Sequence, residues 1–270
     1  LAARYPEIFA VARSADDILA ARSSGRIASL LGAEGAHSIN DSPAVLRMLA
    51  RLGVRYLTLT HTRNSSWADS ATDVPVHHGL SKRGVEYIAE LNRLGVLVDL
   101  SHVSQETMHA ALDVAAAPVI FSHSSCRALS EHPRNVPDDV LARLPANGGV
   151  VMVTFVPQFL SEEYAEWHKG SRTEPVPAVT IADVADHIEH ARDLAGIDHI
   201  GLGSDFDGTD RFPLGLDGVD GYPRLLEELA RRGWNADELA ALTGENILRV
   251  LSDTDDAFAT AGAGGPVLTG

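Results

Sequence analysis

The sequence predicts an α/β fold closed into a (β/α)8 barrel, and three observations carry that expectation. Six short, nearly continuous apolar runs recur along the 270 residues, each followed by a stretch of helical periodicity. That length suits one large domain with a well-buried core better than two domains and a linker. Finally, Glu34, His61, His102, His123 and Asp205 each fall at or just beyond the C-terminal end of a different run. An open doubly wound sheet gathers ligands at one switch point, whereas a barrel collects side chains from many strand ends at one mouth.

The runs are Arg26 to Leu31, Arg55 to Thr60, Val96 to Leu100, Val119 to Ser122, Gly149 to Phe155 and His199 to Gly203. Between them, Ser81 and Thr180 occupy N-cap positions, Asn235 with Glu238 forms a capping-box pattern, and Gly95, Gly196 and Gly233 lie just past helix ends. Val184, Ile188, Ala191 and Leu194 make one helical stripe, and Val85, Ile88 and Leu91 another. A barrel needs eight strands, so six runs imply about two βα units, roughly 60 residues, lying ahead of Leu1. The expected organisation is a partial barrel domain over residues 1–252 and a flexible tail over 253–270, rich in Asp, Ala and Gly.

Composition narrows the function classes. Apolar residues make up 45% and charged residues 22%, the balance of a folded globular protein. A formal charge of −15, spread along the chain, repels a phosphate backbone and argues against nucleic acid as a partner. No apolar run approaches the roughly 20 residues needed to span a bilayer, so no membrane partner is expected. The single cysteine, Cys126, excludes an intrachain disulfide and fits a reducing compartment, which favours the cytoplasm, although exported bacterial enzymes can also lack disulfides.

Taken one at a time, strand-end histidines are more often structural than ligating. His109, His187, His190 and His199 read as helix or strand-approach residues, and His77, His78 and His168 as loop residues. The combination is different. His102, His123 and Glu34, from separate strands, supply the two nitrogens and one oxygen of a catalytic zinc site with a position left for water. Asp205 as a further carboxylate allows a second ion, with Glu34 bridging the two, and paired ions of this kind serve hydrolysis. Asp207 reads as a turn former, Asp99 as an acceptor that orients a histidine, Asn135 as a loop organiser, and Cys126 as a small packed residue.

The local words GAEGAHSI around Glu34, LTLTH ending at His61, VDLSHVS around His102, FSHSS around His123, RNVPDD from Arg134 and GSDFDG around Asp205 resemble the renal (membrane) dipeptidase family of amidohydrolase-like TIM barrels. They occur in the family's order, and the resemblance runs to about Ser252. It implies a zinc-dependent dipeptidase that cleaves short unblocked dipeptides, including those with a C-terminal D-residue, through a hydroxide bridging two zinc ions. By the same resemblance Glu34 bridges the ions and His102 and His123 complete the second one. Asp205 lies near the first ion and moves a proton, His61 contacts the scissile carbonyl side, and Arg134 grips the substrate carboxylate. A homodimer is also implied. The family's His-x-Asp pair on an earlier strand has no counterpart before Glu34, so one zinc ion instead of two is an expectation for this chain, and His37 with Asp41 does not replace the pair. Two other readings stand beside the dipeptidase: a related metal-dependent hydrolase acting on another amide or lactam, and a remnant that binds metal or peptide without catalysis.

Overall fold

The computed structural model describes residues 1–172, 175–261 and 265–268. The chain divides into two compact units, Leu1–Val119 with Ile247–Gly270, and Ile120–Asn246. Both units are α/β, and every strand pairing within them is parallel.

The first unit holds five strands, β1 (Phe9–Val11), β2 (Ile27–Ser29), β3 (Leu31–Ala33), β4 (Val54–Thr58) and β5 (Leu97–Asp99). β1 pairs with β2, while β3, β4 and β5 pair in that order. The run expected over Arg26 to Leu31 is thus divided: Ile27–Ser29 faces β1, and the chain bends at Ser29–Leu31 so that Leu31–Ala33 faces β4. β1 was not among the six runs because three residues between Ile8 and Ala12 show too little periodicity to stand out. The other strands lie within the expected runs or differ from them by a residue or two at either end.

Helices Pro43–Leu52, Lys82–Arg93 and Gln105–Val114 start on Ser42, Ser81 and Ser104, whose hydroxyls accept the amides of Val45, Gly84 and Thr107. Lys82–Arg93 and Gln105–Val114 turn an apolar stripe inward, whereas Pro43–Leu52 buries Pro43 and Leu46 and leaves Val45, Met48 and Leu52 exposed. Tyr87, Ile88 and Leu91 are fully buried together with Leu46, Leu57, Leu59, Trp67, Val98 and Met108, whereas Val85, at the edge of its stripe, is 40% exposed. The Trp67 and Tyr87 rings stack 3.6 Å apart. Burying each of these large side chains contributes about 1.5 to 3 kcal/mol.

The second unit contains β6 (Ile120–Ser124), β7 (Val150–Val153) and β8 (Ile200–Leu202), paired in that order. Helix Ile181–Ala195 begins with a capping box between Thr180 and Asp183 and buries Val184, Ile188 and Ala191. Asn235 and Glu238 make the second capping box, as their spacing suggested. His168 lies in helix Glu162–Lys169 and not in a loop: Ser161 caps that helix, and Glu162 and Glu163 favour its first turn.

The segment read as a flexible tail is helical over much of its length. Helix Asn246–Ala261 continues past Ser252, since alanine is the strongest helix former and the helix is docked. Asp255 accepts hydrogen bonds from Arg55 at 2.5 Å and from the Ala15 amide at 3.1 Å. Leu268 is buried, and residues 262–264 and 269–270 of that segment lie outside the described residues. No helix among the described residues is long and apolar enough to cross a membrane.

One buried carboxylate ties three parts of the first unit together. Glu90, with a fully buried side chain, accepts from Arg47 at 2.7 Å, from Arg93 at 2.7 and 2.8 Å, and from the Val267 amide at 2.9 Å. Burial alone would raise its pKa, but the two guanidiniums and the amide outweigh it and hold the group at about 2. A depressed carboxylate contributes stability that is present above its unfolded pKa and lost as pH falls through the folded one. Because both arginines reach solvent, Glu90→Gln is expected to cost about 2 kcal/mol at pH 7. In denaturant titrations the difference between parent and variant should shrink steadily from pH 4.5 towards pH 2.

Candidate metal centre

Five of the six residues singled out for chemistry sit at strand ends, and the backbone explains how each is presented. Glu34 follows β3 directly, His61 lies three residues beyond β4, His102 three beyond β5 and Asp205 three beyond β8, while His123 is within the last turn of β6. The sixth, Arg134, is on the loop after β6. His102 and Asp205 both have positive φ, 70° and 59°. A left-handed backbone on a non-glycine residue costs of order 1 to 3 kcal/mol and persists only where surrounding contacts enforce it.

In the first unit, Glu34, His61 and His102 converge. Their ligand atoms all lie within 4.8 Å of one another. Glu34 Oε1 is 3.0 Å from His102 Nε2 and 3.7 Å from His61 Nε2, and the two imidazoles stack with centroids 4.3 Å apart. Glu34 and His61 are each 45% exposed, so the cluster opens to solvent, while His102 is nearly buried. Gly35, at φ 92°, makes this approach feasible: a Cβ there would stand 3.4 Å from the His61 Cβ and 3.3 Å from His37 Nδ1.

The donor set suits a metal. Two imidazole nitrogens and a carboxylate oxygen are a common catalytic zinc set, and bonds of about 2.1 Å in tetrahedral geometry place neighbouring donors about 3.4 Å apart. The separations of 3.0 and 3.7 Å bracket that value. His61, which sequence reasoning assigned to the substrate, thus stands among the potential ligands. His37 and Asp41 are engaged elsewhere: His37 Nε2 meets the Asn64 carbonyl at 3.0 Å, and Asp41 accepts the Trp67 indole N–H at 2.7 Å as well as the Ser66 hydroxyl. Asp99 acts as an acceptor that shapes the strand end, taking the Thr58 hydroxyl at 2.6 Å and the Ser101 amide at 3.0 Å.

The loop between His61 and helix Lys82–Arg93 does not stand out in the sequence as part of the site, because it shows no periodicity and its His77 and His78 read as loop residues. It is organised by Asp69, whose fully buried carboxylate accepts the amides of Val76, His77 and Gly79 at 2.9 to 3.1 Å. Burial would raise this carboxyl's pKa, yet those amides outweigh it and lower the value. The run of small polar residues from Asn64 to Asp73, in a loop of this length, was the available signal.

In the second unit, His123 Nδ1 meets the Ser122 hydroxyl at 2.8 Å, and the His123 carbonyl accepts from Arg134 at 3.4 Å. The Arg134 guanidinium, almost fully buried, lies over the Phe159 ring at 5.2 Å. His132 packs against the same ring at 4.5 Å, and burial, followed by the Arg134 charge, pushes its pKa down to about 4. Asn135 organises the loop as expected, donating to the carbonyls of Ser130 and Phe159 at 2.8 Å. Asp205 is enclosed by its own turn: a Cβ on Gly208 would fall 2.2 Å from Asp205 Oδ1. Asp207, at φ 70°, lies in the same turn.

A match to the family model described as membrane dipeptidase, peptidase family M19, extends over residues 1–263. The chain belongs to that family. It is 44% identical over 265 residues to dipeptidase tcpJ of Claviceps purpurea, an alignment covering 98% of this chain and 60% of tcpJ. It thus spans about three fifths of the length of the curated relatives it matches. Among solved structures, an amidohydrolase from Pseudomonas aeruginosa is 29% identical with a TM-score of 0.83, over 94% of this chain and 81% of that one. A metallo peptidase from Rhodobacter sphaeroides, liganded with a phosphinate mimic of the dipeptide L-Ala-D-Ala, is 28% identical with a TM-score of 0.81, over 91% and 69%. The α/β architecture with parallel strands is common to this amidohydrolase type of fold.

Cys126 is a packed residue: its amide donates to His187 Nδ1 at 3.0 Å, its sulfur lies 3.3 Å from the His187 carbonyl, and burial pushes its thiol pKa up. His187, buried and neutral, pairs its other nitrogen with the Leu160 carbonyl at 3.1 Å, and burial lowers its pKa to about 4. Between pH 6.5 and 4 the unfolded chain binds this proton and the native chain does not, so the native state loses stability as pH falls, by up to about 3 kcal/mol. His187→Gln should be less stable than the parent at pH 7, and the gap should narrow in thermal melts taken down to pH 4.5. Gly208 has no positive φ, so Gly208→Ala is expected to keep the fold and to drive the Asp205 carboxylate from its position, as a crystal structure of the variant would reveal.

Proposed function

We propose that this chain carries the metal and substrate groups of a zinc-dependent dipeptidase acting on short unblocked dipeptides. The observation that carries the reading is the convergence of Glu34, His61 and His102 at the ends of three parallel strands, with Glu34 Oε1 and His102 Nε2 3.0 Å apart, close enough to share one metal ion, and His61 Nε2 beside them at 3.7 Å from Glu34. Family membership supports it.

Bound there, zinc would supply a Lewis acid for the peptide carbonyl and lower the pKa of a water. In this reading Glu34 and His102 hold the ion with His123, and Glu34, being the exposed carboxylate, has a second oxygen to offer a second ion. His61, stacked on His102, presents its Nε2 beside Glu34 and meets the scissile carbonyl side of the substrate. Arg134 binds the substrate's free carboxylate, a task suited to a planar guanidinium held against Phe159. Asp205 accepts the proton released on attack and returns it to the leaving amine. The L-Ala-D-Ala mimic bound by the Rhodobacter sphaeroides peptidase supports acceptance of a D-residue at the C-terminal position.

Assays on unblocked dipeptides, with L-Ala-D-Ala among them, and on N-acyl amino acids in parallel test this reading. Expected are turnover of unblocked dipeptides, loss on chelation, recovery with zinc, and a fall of at least about 100-fold in Glu34→Ala and His102→Ala. Turnover confined to blocked substrates would favour another amide hydrolase, and zinc binding without any turnover would favour a non-catalytic chain.

A further inference from the structure

We propose that Ser70 is a positioning residue for the metal centre, its buried hydroxyl fixing the spacing of the His61 and His102 imidazoles by linking their backbone carbonyls. This inference rests on the metal-site reading above.

His61 and His102 stand three residues beyond their strands, past the last ladder contact between β4 and β5 at Thr58 and Asp99. One further bond, from the Leu59 amide to the Asp99 carbonyl at 3.3 Å, extends the ladder by a residue. Ser70 bridges the gap that follows. Its Oγ lies 2.6 Å from the His61 carbonyl and 3.3 Å from the His102 carbonyl, and Ser70 is almost completely buried. A single hydroxyl proton is shared between the two acceptors, so a shift of either carbonyl weakens the link to the other.

Ser70 is itself immobilised. Its amide donates to Asn64 Oδ1 at 2.7 Å, and Ser70 forms an antiparallel bridge with Val103, next to His102. Ala71 donates to the His102 carbonyl at 2.8 Å. On the other side, Asp69 accepts three amides on its carboxylate, and its carbonyl takes the Ser104 amide at 2.9 Å and the Thr107 hydroxyl at 3.0 Å. The loop therefore grips the chain at His102 and just after it. Its hold supplies the contacts that keep His102 at φ 70°. With the rings stacked at 4.3 Å, a shift of a few tenths of an ångström at either carbonyl tilts both rings, moving His102 Nε2 off the position a metal bond of about 2.1 Å requires and His61 Nε2 off its place beside Glu34.

The test uses the full 270-residue chain as parent, with Ser70→Ala, Ser70→Cys, which keeps the volume but donates weakly, and Ser70→Thr, which keeps the hydroxyl. Zinc affinity is measured by competition with a chromophoric chelator, the site geometry by the visible spectrum of bound cobalt(II), and folding by near-ultraviolet circular dichroism. Expected are a 10- to 100-fold weaker zinc affinity and an altered cobalt spectrum in the alanine and cysteine variants, with both restored in the threonine variant. The proposal is overturned if a folded alanine or cysteine variant binds zinc within twofold of the parent with an unchanged spectrum, or if the threonine variant is as weak as alanine. Failure of both alanine and cysteine variants to fold would assign Ser70 to stability alone and overturn it too. A parent that binds no zinc, or a Glu34→Ala variant that binds as the parent does, instead sinks the metal-site reading itself.

Discussion

The buried carboxylate of Asp69 is the constraint on which the cluster of Glu34, His61 and His102 depends. Charge removed from water must be compensated locally, and here three backbone amides provide most of the compensation. Loop amides are cheap donors, available wherever the chain can be curled around an acceptor. By curling around Asp69, residues 69–79 acquire one conformation, and the neighbouring Ser70 and Ala71 inherit fixed positions beside His102. The rigidity of the centre therefore originates in a loop and passes to the strand ends, which reverses the usual division between rigid scaffold and adaptable loop.

Much of this architecture was legible in the sequence, for reasons that can be stated residue by residue. Parallel strands buried on both faces leave continuous apolar runs, so β4 to β8 announced themselves. Caps were equally plain, because Ser81, Thr180 and Asn235 have few other uses immediately ahead of a helical stripe. Glu34, His61 and His102 stood out as polar groups placed where a run stops. What stayed hidden lacked a period or a distinctive residue type. Three-residue β1 is too short to alternate, the bend between β2 and β3 is a matter of pairing partner, and Asp69 and Ser70 resemble any polar loop. The end of the chain misled through composition: Asp and Ala read as a solvated tail, yet Asp255 is spent on Arg55 and the Ala15 amide.

The second unit solves a similar problem with aromatic surface. Arg134 is almost fully buried and rests on Phe159, while His132 shares the ring and Asn135 ties the loop to the Phe159 carbonyl. A buried guanidinium held by a π face and the His123 carbonyl keeps its direction. The loop is thus ordered around a cation in one unit and around an anion in the other.

The positive φ angles of His102 and Asp205 set stability and chemistry against each other. At either position glycine would relieve the backbone and discard the side chain that gives the position its value. Selection for thermal resilience alone, in the laboratory or over generations, would therefore drift towards glycine or asparagine at these two positions and erase the centre while improving the scaffold. In this chain the two positions carry histidine and aspartate, each holding a left-handed backbone that glycine would adopt without steric cost.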